Sequence, residues 1–202
     1  ADIDGAGLSD LVIWRFGRNQ VQVAYGKADG SLGLPVKLFQ TSNVIFSLAL
    51  AELNGDGILD VVTVTQPAVG IQPYLSSGDE WHPGTASPWF FESSAIGTEF
   101  RLADVNGDGE LDLFARSPVS QIGGPEVALG LGGGLFGPRT RVVRGTWPAP
   151  VYDFADLNSD GVLDLVATGY TTAAGVHPAA VIYGTGSLPL LADRTLLIGA
   201  PE

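Results

Sequence analysis

The chain contains no cysteine and no methionine, only two histidines and only 10 Lys+Arg. Without cysteine there is no disulfide framework, no thiolate metal site and no cysteine nucleophile. His82 (in WHPG) and His177 (in VHPA) stand alone in Pro/Gly-containing stretches and read as solvated loop residues, which leaves imidazole-centred catalysis without a partner set. The basic residues form no run interleaved with aromatics, so nucleic acid and anionic membrane surfaces are disfavoured as partners. No apolar stretch approaches the ~20 residues of a membrane span, which argues against membrane insertion. Residues 1–7 also lack the basic start and apolar segment of a signal peptide. A chain that opens on Ala1 and carries no methionine is expected to be a mature or excised segment. Helical apolar periodicity is missing throughout.

What the chain does have is 202 residues, 45% of them hydrophobic, with a mean hydropathy of +0.24, enough to build a sizeable core. It also has 28 Gly, 13 Pro and 22 Asp+Glu, for a net charge of −12. The acid excess is not spread evenly. One segment occurs four times: 1–11 (ADIDGAGLSDL), 51–61 (AELNGDGILDV), 103–113 (ADVNGDGELDL) and 155–165 (ADLNSDGVLDL). Its first acids, Asp2, Glu52, Asp104 and Asp156, are 50, 52 and 52 residues apart. A period near 50 implies a solenoid, propeller or array.

Each acidic segment runs into continuously apolar residues, Leu11–Trp14, Val61–Val64, Leu113–Ala115 and Leu165–Ala167, which read as strands buried on both faces. Second strands end in glycine at 21–26 (VQVAYG), 127–130 (VALG) and 181–184 (VIYG), and third strands follow at 35–40, 139–143 and 194–198. The strand before each motif is placed at 46–50, 99–102 and 151–154. Four short strands per ~50 residues is the arithmetic of a propeller blade, with stacked sheets as the rival all-β form. The chain therefore reads as a single all-β propeller segment over 1–202, with repeats at about 1–45, 46–98, 99–150 and 151–202. Each second-strand glycine at 26 and 130 precedes the next motif acid by 26 residues, so the strand that leads the first unit is absent at both ends. We expect part of a longer propeller, completed by further blades of the same parent chain or by associated chains.

The motif places oxygen side chains at positions 1, 3, 5 and 9. These are Asp2, Asp4 and Asp10 in the first copy, where Ala6 removes one, and Glu52, Asn54, Asp56 and Asp60 in the second. They are Asp104, Asn106, Asp108 and Asp112 in the third, and Asp156, Asn158, Asp160 and Asp164 in the fourth. Position 7 (Leu8, Ile58, Glu110, Val162) can add its backbone carbonyl, and glycine at position 6 permits a positive φ. Hard oxygen donors without His or Cys select Ca²⁺. The loop is no EF-hand, because position 12 is Ile13, Thr63, Ala115 or Ala167, inside a strand, where an EF-hand needs a bidentate Glu. The third and fourth sites rank strongest and the first weakest. Four divalent ions would move the net charge from −12 to −4, so the acidity is mostly local site chemistry.

These four motifs resemble the FG-GAP/VCBS repeats of the integrin α-subunit propeller and of integrin-like lectins. Weaker pieces add to the likeness: Phe16-Gly17, Tyr25-Gly26, Phe136-Gly137 and Gly199-Ala200-Pro201. The resemblance implies a seven-bladed propeller whose hairpin calcium ions rigidify it. It also implies an extracellular or cell-surface setting, with protein or carbohydrate ligands or a separate catalytic domain as company.

Function is accordingly expected to be non-catalytic recognition or adhesion. The carboxylates outside the loops are scattered, and 132–137 (GGGLFG) leads into Pro138 and a strand rather than the helix a phosphate loop needs. A calcium-dependent lectin is a narrower form of the same reading, resting on Trp81, Trp89, Phe90, Phe91 and Trp147, although tryptophan is usually buried. A third form is an accessory propeller of a secreted enzyme whose catalytic residues lie elsewhere.

Overall fold

The structure is a computed structural model that describes residues 1–15, 18–66, 70–77, 80–87, 100–116, 125–141, 152–172, 175–187 and 195–198. It forms two compact units, Ala1–Thr98 with Gly132–Leu135, and Glu99–Leu131 with Phe136–Glu202. All regular structure among the described residues is strand, and no helix there is long and apolar enough to cross a membrane.

The first unit is one antiparallel sheet in chain order, made of β1 (Leu11–Trp14), β2 (Arg18–Ala24), β3 (Val36–Ala51), β4 (Asp60–Gln66), β5 (Gly70–Ser76) and β6 (Trp81–Pro83). The two strands expected at 35–40 and 46–50 run together as β3. Its first part pairs with β2 (Val36↔Val23) and its last part with β4 (Ala51↔Asp60). Residues 41–45 (TSNVI) contain no Gly or Pro to break the strand, and β-branched residues favour it. The turn of direction is taken up by register shifts at Arg18/Gln20, Val21/Gln22 and Ile45/Ser47, the irregularities that bend a strand. The buried Thr41 hydroxyl donates to the Asn19 and Asn43 carbonyls and holds this bend.

Strand β4 is buried from Val61 to Thr65 and so matches a strand covered on both faces. Strand β1 does not: Leu11 is 48% exposed and Val12 to Trp14 are half-buried. It is the edge of its sheet, and no described strand lies beyond it. The core of this unit gathers Ile3, Val21, Val23, Phe39, Ile45, Val61 and Tyr74, with Trp14 and Trp81 packed against it.

The second unit holds two four-stranded antiparallel sheets. One is β7 (Phe100–Ala103), β8 (Asp112–Arg116), β9 (Pro125–Gly130) and β10 (Phe136–Arg141). The other is β11 (Tyr152–Ala155), β12 (Asp164–Thr172), β13 (Gly175–Ile182) and β14 (Thr195–Ile198). The expected 99, 142–143, 151 and 194 fall outside the described residues, and the remainder of those strands is found in place. Val105, Phe114, Val127, Leu165 and Ile182 form the shared core of the two sheets, with the Phe154 ring 4.1 Å from that of Phe114. Phe114 is fully buried, so Phe114→Ala should cost about 3–5 kcal/mol in urea unfolding. A loss under about 1 kcal/mol would show that the site collapses or was never packed.

Candidate metal centres

The four acidic motifs fold alike, and the residue that fixes each loop to its sheet is the aspartate at position 9. Asp10 is 9% exposed, and Asp60, Asp112 and Asp164 are fully buried. One carboxylate oxygen of each accepts the amide of position 2: Ile3 (2.8 Å), Leu53 (2.9 Å), Val105 (2.9 Å) and Leu157 (2.9 Å). The other oxygen accepts an amide at or just beyond the end of the second strand: Gly26, Ser76, Gly130 and Gly184, each at 2.8 Å. The glycines there are required by space. A Cβ on Gly26, Gly130 or Gly184 would lie 2.3–2.6 Å from the carbonyl oxygen of Ser9, Leu111 or Leu163. These are the glycines that end the second strands in the sequence.

Between positions 1 and 9 the loop turns through two left-handed residues rather than one. Positions 4 and 6 have positive φ in every copy: Gly5 and Gly7, Gly55 and Gly57, Gly107 and Gly109, Ser159 and Gly161. Ser159, at φ 61°, is the one non-glycine residue with positive φ among the described residues.

These turns aim the loop amides at its own acids. Asp104 accepts the amides of Gly107 (2.8 Å), Asp108 (3.2 Å) and Gly109 (2.9 Å), and Asp156 those of Asp160 (3.2 Å) and Gly161 (3.0 Å). Glu52 does the same for Asn54 (2.9 Å) and Gly55 (2.6 Å). The position 3 amide side chain donates to the position 5 carboxylate: Asn54 to Asp56 (3.1 Å), Asn106 to Asp108 (2.8 Å) and Asn158 to Asp160 (2.9 Å). The position 5 carboxylate in turn accepts the position 7 amide of Ile58 (2.8 Å), Glu110 (2.9 Å) or Val162 (2.9 Å). Asp104 Oδ1 and Glu52 Oε1 each accept two amides, and the other oxygens that accept a single bond keep a second lone pair.

The first loop differs. It carries Asp4 where the others have Asn, and the carboxylates of Asp2, Asp4 and Asp10 each bring an oxygen within 4.8 Å of the others. Asp2 Oδ2 accepts the Gly7 amide at 2.8 Å and Asp4 Oδ1 the Ala6 amide at 3.0 Å. Asp2 Oδ1 is buried with no hydrogen-bond partner. A buried oxygen without a donor, beside two further carboxylates, fits a hard cation better than an empty turn. The copy ranked weakest from its sequence is the one in which, among the described residues, three carboxylates converge within 4.8 Å.

Burial is the main cause that pushes the Asp60 and Asp112 carboxyls above the ordinary 3.8. Their amide donors oppose the rise, and the neighbouring acids Asp56 and Glu52, or Asp108 and Asp104, add to it. Exposed Asp108 goes the other way, held below 3.8 by the Glu110 amide and the Asn106 side chain.

A family model described as the FG-GAP-like repeat matches residues 2–63 and 104–167, more than half of the chain. Each match begins at the first acid of a loop and runs past the ninth position of the next. The chain belongs to the FG-GAP-like repeat family. No curated protein sequence matches it significantly.

Outside the loops, this FG-GAP-like chain places both histidines on strands, not in loops: His82 in β6 opposite Leu75, and His177 in β13 opposite Tyr170. Pairing with β5 and β12, respectively, outweighs the Pro/Gly signals beside them. Exposed His82 Nε2 lies 3.1 Å from Ser77 Oγ and 3.5 Å from Glu80 Oε2. Both contacts use the same ring nitrogen, so Glu80 does not orient the ring through Nδ1 as a Ser-His-acid relay requires. Trp81 stacks on Phe39 at 5.5 Å and is part of the core packing. Trp89, Phe90, Phe91 and Trp147 lie outside the described residues, as do Phe16-Gly17 and Gly199-Ala200-Pro201. Gly132, Gly133 and Gly134, all with positive φ, turn into β10, so no helix follows the GGGLFG stretch.

Two tests follow from the loop geometry. Ser159→Gly removes a left-handed Cβ and should stabilise the fold by about 1 kcal/mol, a rise of roughly 2–4 °C in melting temperature; a fall would show that the serine side chain is needed there. In calcium-free buffer, the raised carboxyls of Asp60 and Asp112 retain protons that the unfolded chain has released. Stability should therefore increase as pH falls from neutral toward 3.8, the lowered Asp108 acting only below that value. Thermal unfolding at pH 7.5, 6 and 5 reads this, and a midpoint that drops on acidification contradicts it.

Proposed function

We propose that this chain is a calcium-stabilised, non-catalytic recognition and adhesion module that works outside the cell or at its surface, its sheets forming blades of a β-propeller. The observation that carries the calcium part is the first loop, where three carboxylates converge and a buried oxygen of Asp2 has no donor. The same oxygen positions recur at Glu52, Asn54, Asp56 and Asp60, at Asp104, Asn106, Asp108 and Asp112, and at Asp156, Asn158, Asp160 and Asp164. These residues, with the position 7 carbonyls, would hold the ions. Calcium would supply the counter-charge that the buried position 9 acids lack. The chain's own part is to hold the acids in place: the position 9 carboxylate ties the loop to the sheet, and the loop amides orient positions 1 and 5.

Membership of the FG-GAP-like repeat family supports the propeller reading, as do the four-stranded sheets β7–β10 and β11–β14. The second half of β3 with β4, β5 and β6 would be a third such blade, and β1, β2 and the first half of β3 three strands of another. Leu11 and Val36, each 48% exposed, and Leu34, 88% exposed, suit further blades of a parent chain or an associated chain packing on the first unit. The same-nitrogen contacts of His82 support the absence of catalysis. Carbohydrate or protein is the ligand class. A calcium-dependent lectin is the narrower form, and an accessory propeller beside a separate catalytic domain is the enzyme-linked one.

The test is a calcium titration followed by thermal unfolding. Binding to the folded loops alone stabilises each by RT ln(1+[Ca]/Kd), about 2.7 kcal/mol at a hundredfold excess over Kd. The melting temperature should climb with calcium, return with EDTA, and respond much less to magnesium, which resists shedding its water for an all-protein cage. Indifference to both calcium and EDTA would overturn the proposal.

A further inference from the structure

We infer that the cavity beside β2 is a binding site for the carboxylate-bearing unit of an acidic saccharide. The cavity measures about 440 Å³, within the ~300–1,000 Å³ of small-ligand pockets, and is lined by Arg15, Arg18, Asn19, Gln20 and Gln22. Among the described residues, none that lines it is acidic or apolar.

Four observations converge on it. The first is charge: residues 11–51 carry Arg15, Arg18, Lys27 and Lys37 against the single acid Asp29, in a chain whose net charge is −12. The second is backbone placement. Gln20 and Gln22 alternate along β2 with Val21 and Val23, which are fully buried in the core, so the glutamines face away from it. The Arg18 amide donates to the Arg15 carbonyl at 2.9 Å, which fixes the two arginine backbones side by side. Third, none of the five side chains has a hydrogen bond or ion pair to another described residue, so the donor and acceptor capacity of the cavity is unspent. Fourth, the repeat does not call for these arginines. Counting from the first acid of each loop, the position of Arg15 holds Thr65, Ser117 and Gly169 in the other copies, and that of Arg18 holds Ala68, Ser120 and Thr172. Residues that the repeat leaves free and the fold leaves exposed are available for a ligand.

The lining chemistry selects the ligand. A guanidinium is a planar fork of donors that matches a carboxylate two bonds at a time. Asn19, Gln20 and Gln22 each add one acceptor and two donors, which suits neighbouring hydroxyls that both give and take hydrogen bonds. A nucleic-acid backbone needs a track of cations, and only two converge here. A sugar acid such as a uronate carries both a carboxylate and a ring of hydroxyls.

The site rests on the recognition reading above but not on calcium. Arg15 stands at the opposite end of β1 from the loop acid Asp10, five residue steps or roughly 16 Å along the strand. The experiment is calorimetric titration of the whole chain with glucuronic acid, with glucose and inorganic phosphate as controls. Glucuronic acid should bind best, with an affinity that falls as salt rises and does not change with EDTA. Arg15→Gln and Arg18→Gln should each weaken it about tenfold or more, and Arg18→Lys should fall between, since it keeps the charge and loses the fork. Both arginines are exposed, so melting temperatures should stay put and certify the fold. Glucuronate that fails to bind, glucose that binds as well, phosphate that competes as strongly as the sugar acid, or binding that survives the double Arg15→Gln/Arg18→Gln variant each overturns the site. A glycan array separates the two levels: neutral glycans captured with both arginines dispensable sink this site and leave the recognition reading standing, whereas an array blank for every glycan sinks the saccharide form of both.

Discussion

A buried carboxylate that accepts two backbone amides from two different parts of the chain organises each repeat. Asp60 is the plainest case, with the Leu53 amide on one oxygen and the Ser76 amide on the other, and no solvent exposure. Those two bonds join the mouth of the acidic loop, the head of β4 and the last residue of β5 at a single point. Hydrogen bonds to a charged acceptor are about twice as strong as neutral ones, yet taking the charge out of water costs several kcal/mol. Burial wins at Asp60 and Asp112, where the carboxyl rises above its ordinary value despite both donors. The lock is therefore held at an electrostatic cost that grows with every acid the loop adds.

That cost explains why the loop and the sheet behave as one unit. The acid at position 1 accepts amides of left-handed glycines and the acid at position 5 accepts the amide of position 7, while the position 9 acid is tied to the sheet. Neither set can relax outward without losing backbone hydrogen bonds. Like charges held together in this way are stabilised by whatever lowers their mutual repulsion, a proton or a divalent cation. The first loop states the case most simply, because Asp4 places a carboxylate where the other copies use an amide, while Ala6 gives up the one at position 5. There the repulsion is carried by three carboxylates and one oxygen of Asp2 has nothing to accept.

The recurrence of (D/E)-x-(D/N)-x-(D/A)-G-x-x-D before an apolar run located β1, β4, β8 and β12, because an acid turn followed by a continuously apolar run has few other ways to fold. The glycines at 26, 130 and 184 marked the ends of second strands before their reason was visible, which is a carbonyl oxygen closer than any Cβ tolerates. Strands β5 and β6 were not legible. Pro73 sits within β5 opposite Val62, and proline in a run reads as a break unless its missing amide is known to face no ladder partner. His82 was misplaced for the same reason. The continuity of β3 escaped because a 16-residue strand serving two neighbours is a tertiary outcome, fixed by which residues pair with β2 and which with β4. The position 9 aspartate was read as one ligand among four. Its role as a structural tie depends on burial and on two amides 7 and 16–20 residues away in the chain, which spacing alone does not reveal.

Chemistry in the first repeat is divided along the strands. At one end of β1 the carboxylates of Asp2, Asp4 and Asp10 converge, and at the other the Arg18 amide donates to the Arg15 carbonyl. The separation exceeds the ~10 Å over which exposed charges act at moderate salt, so neither end neutralises the other. The repeat explains the acidic end, since it recurs four times and each copy is tied to the sheet in the same way. It does not explain the basic end, which no other copy reproduces. A repeated feature answers to the fold it builds. A feature present once, exposed, and lined by side chains with unspent hydrogen-bonding capacity contributes nothing visible to that fold, and its chemistry is directed outward.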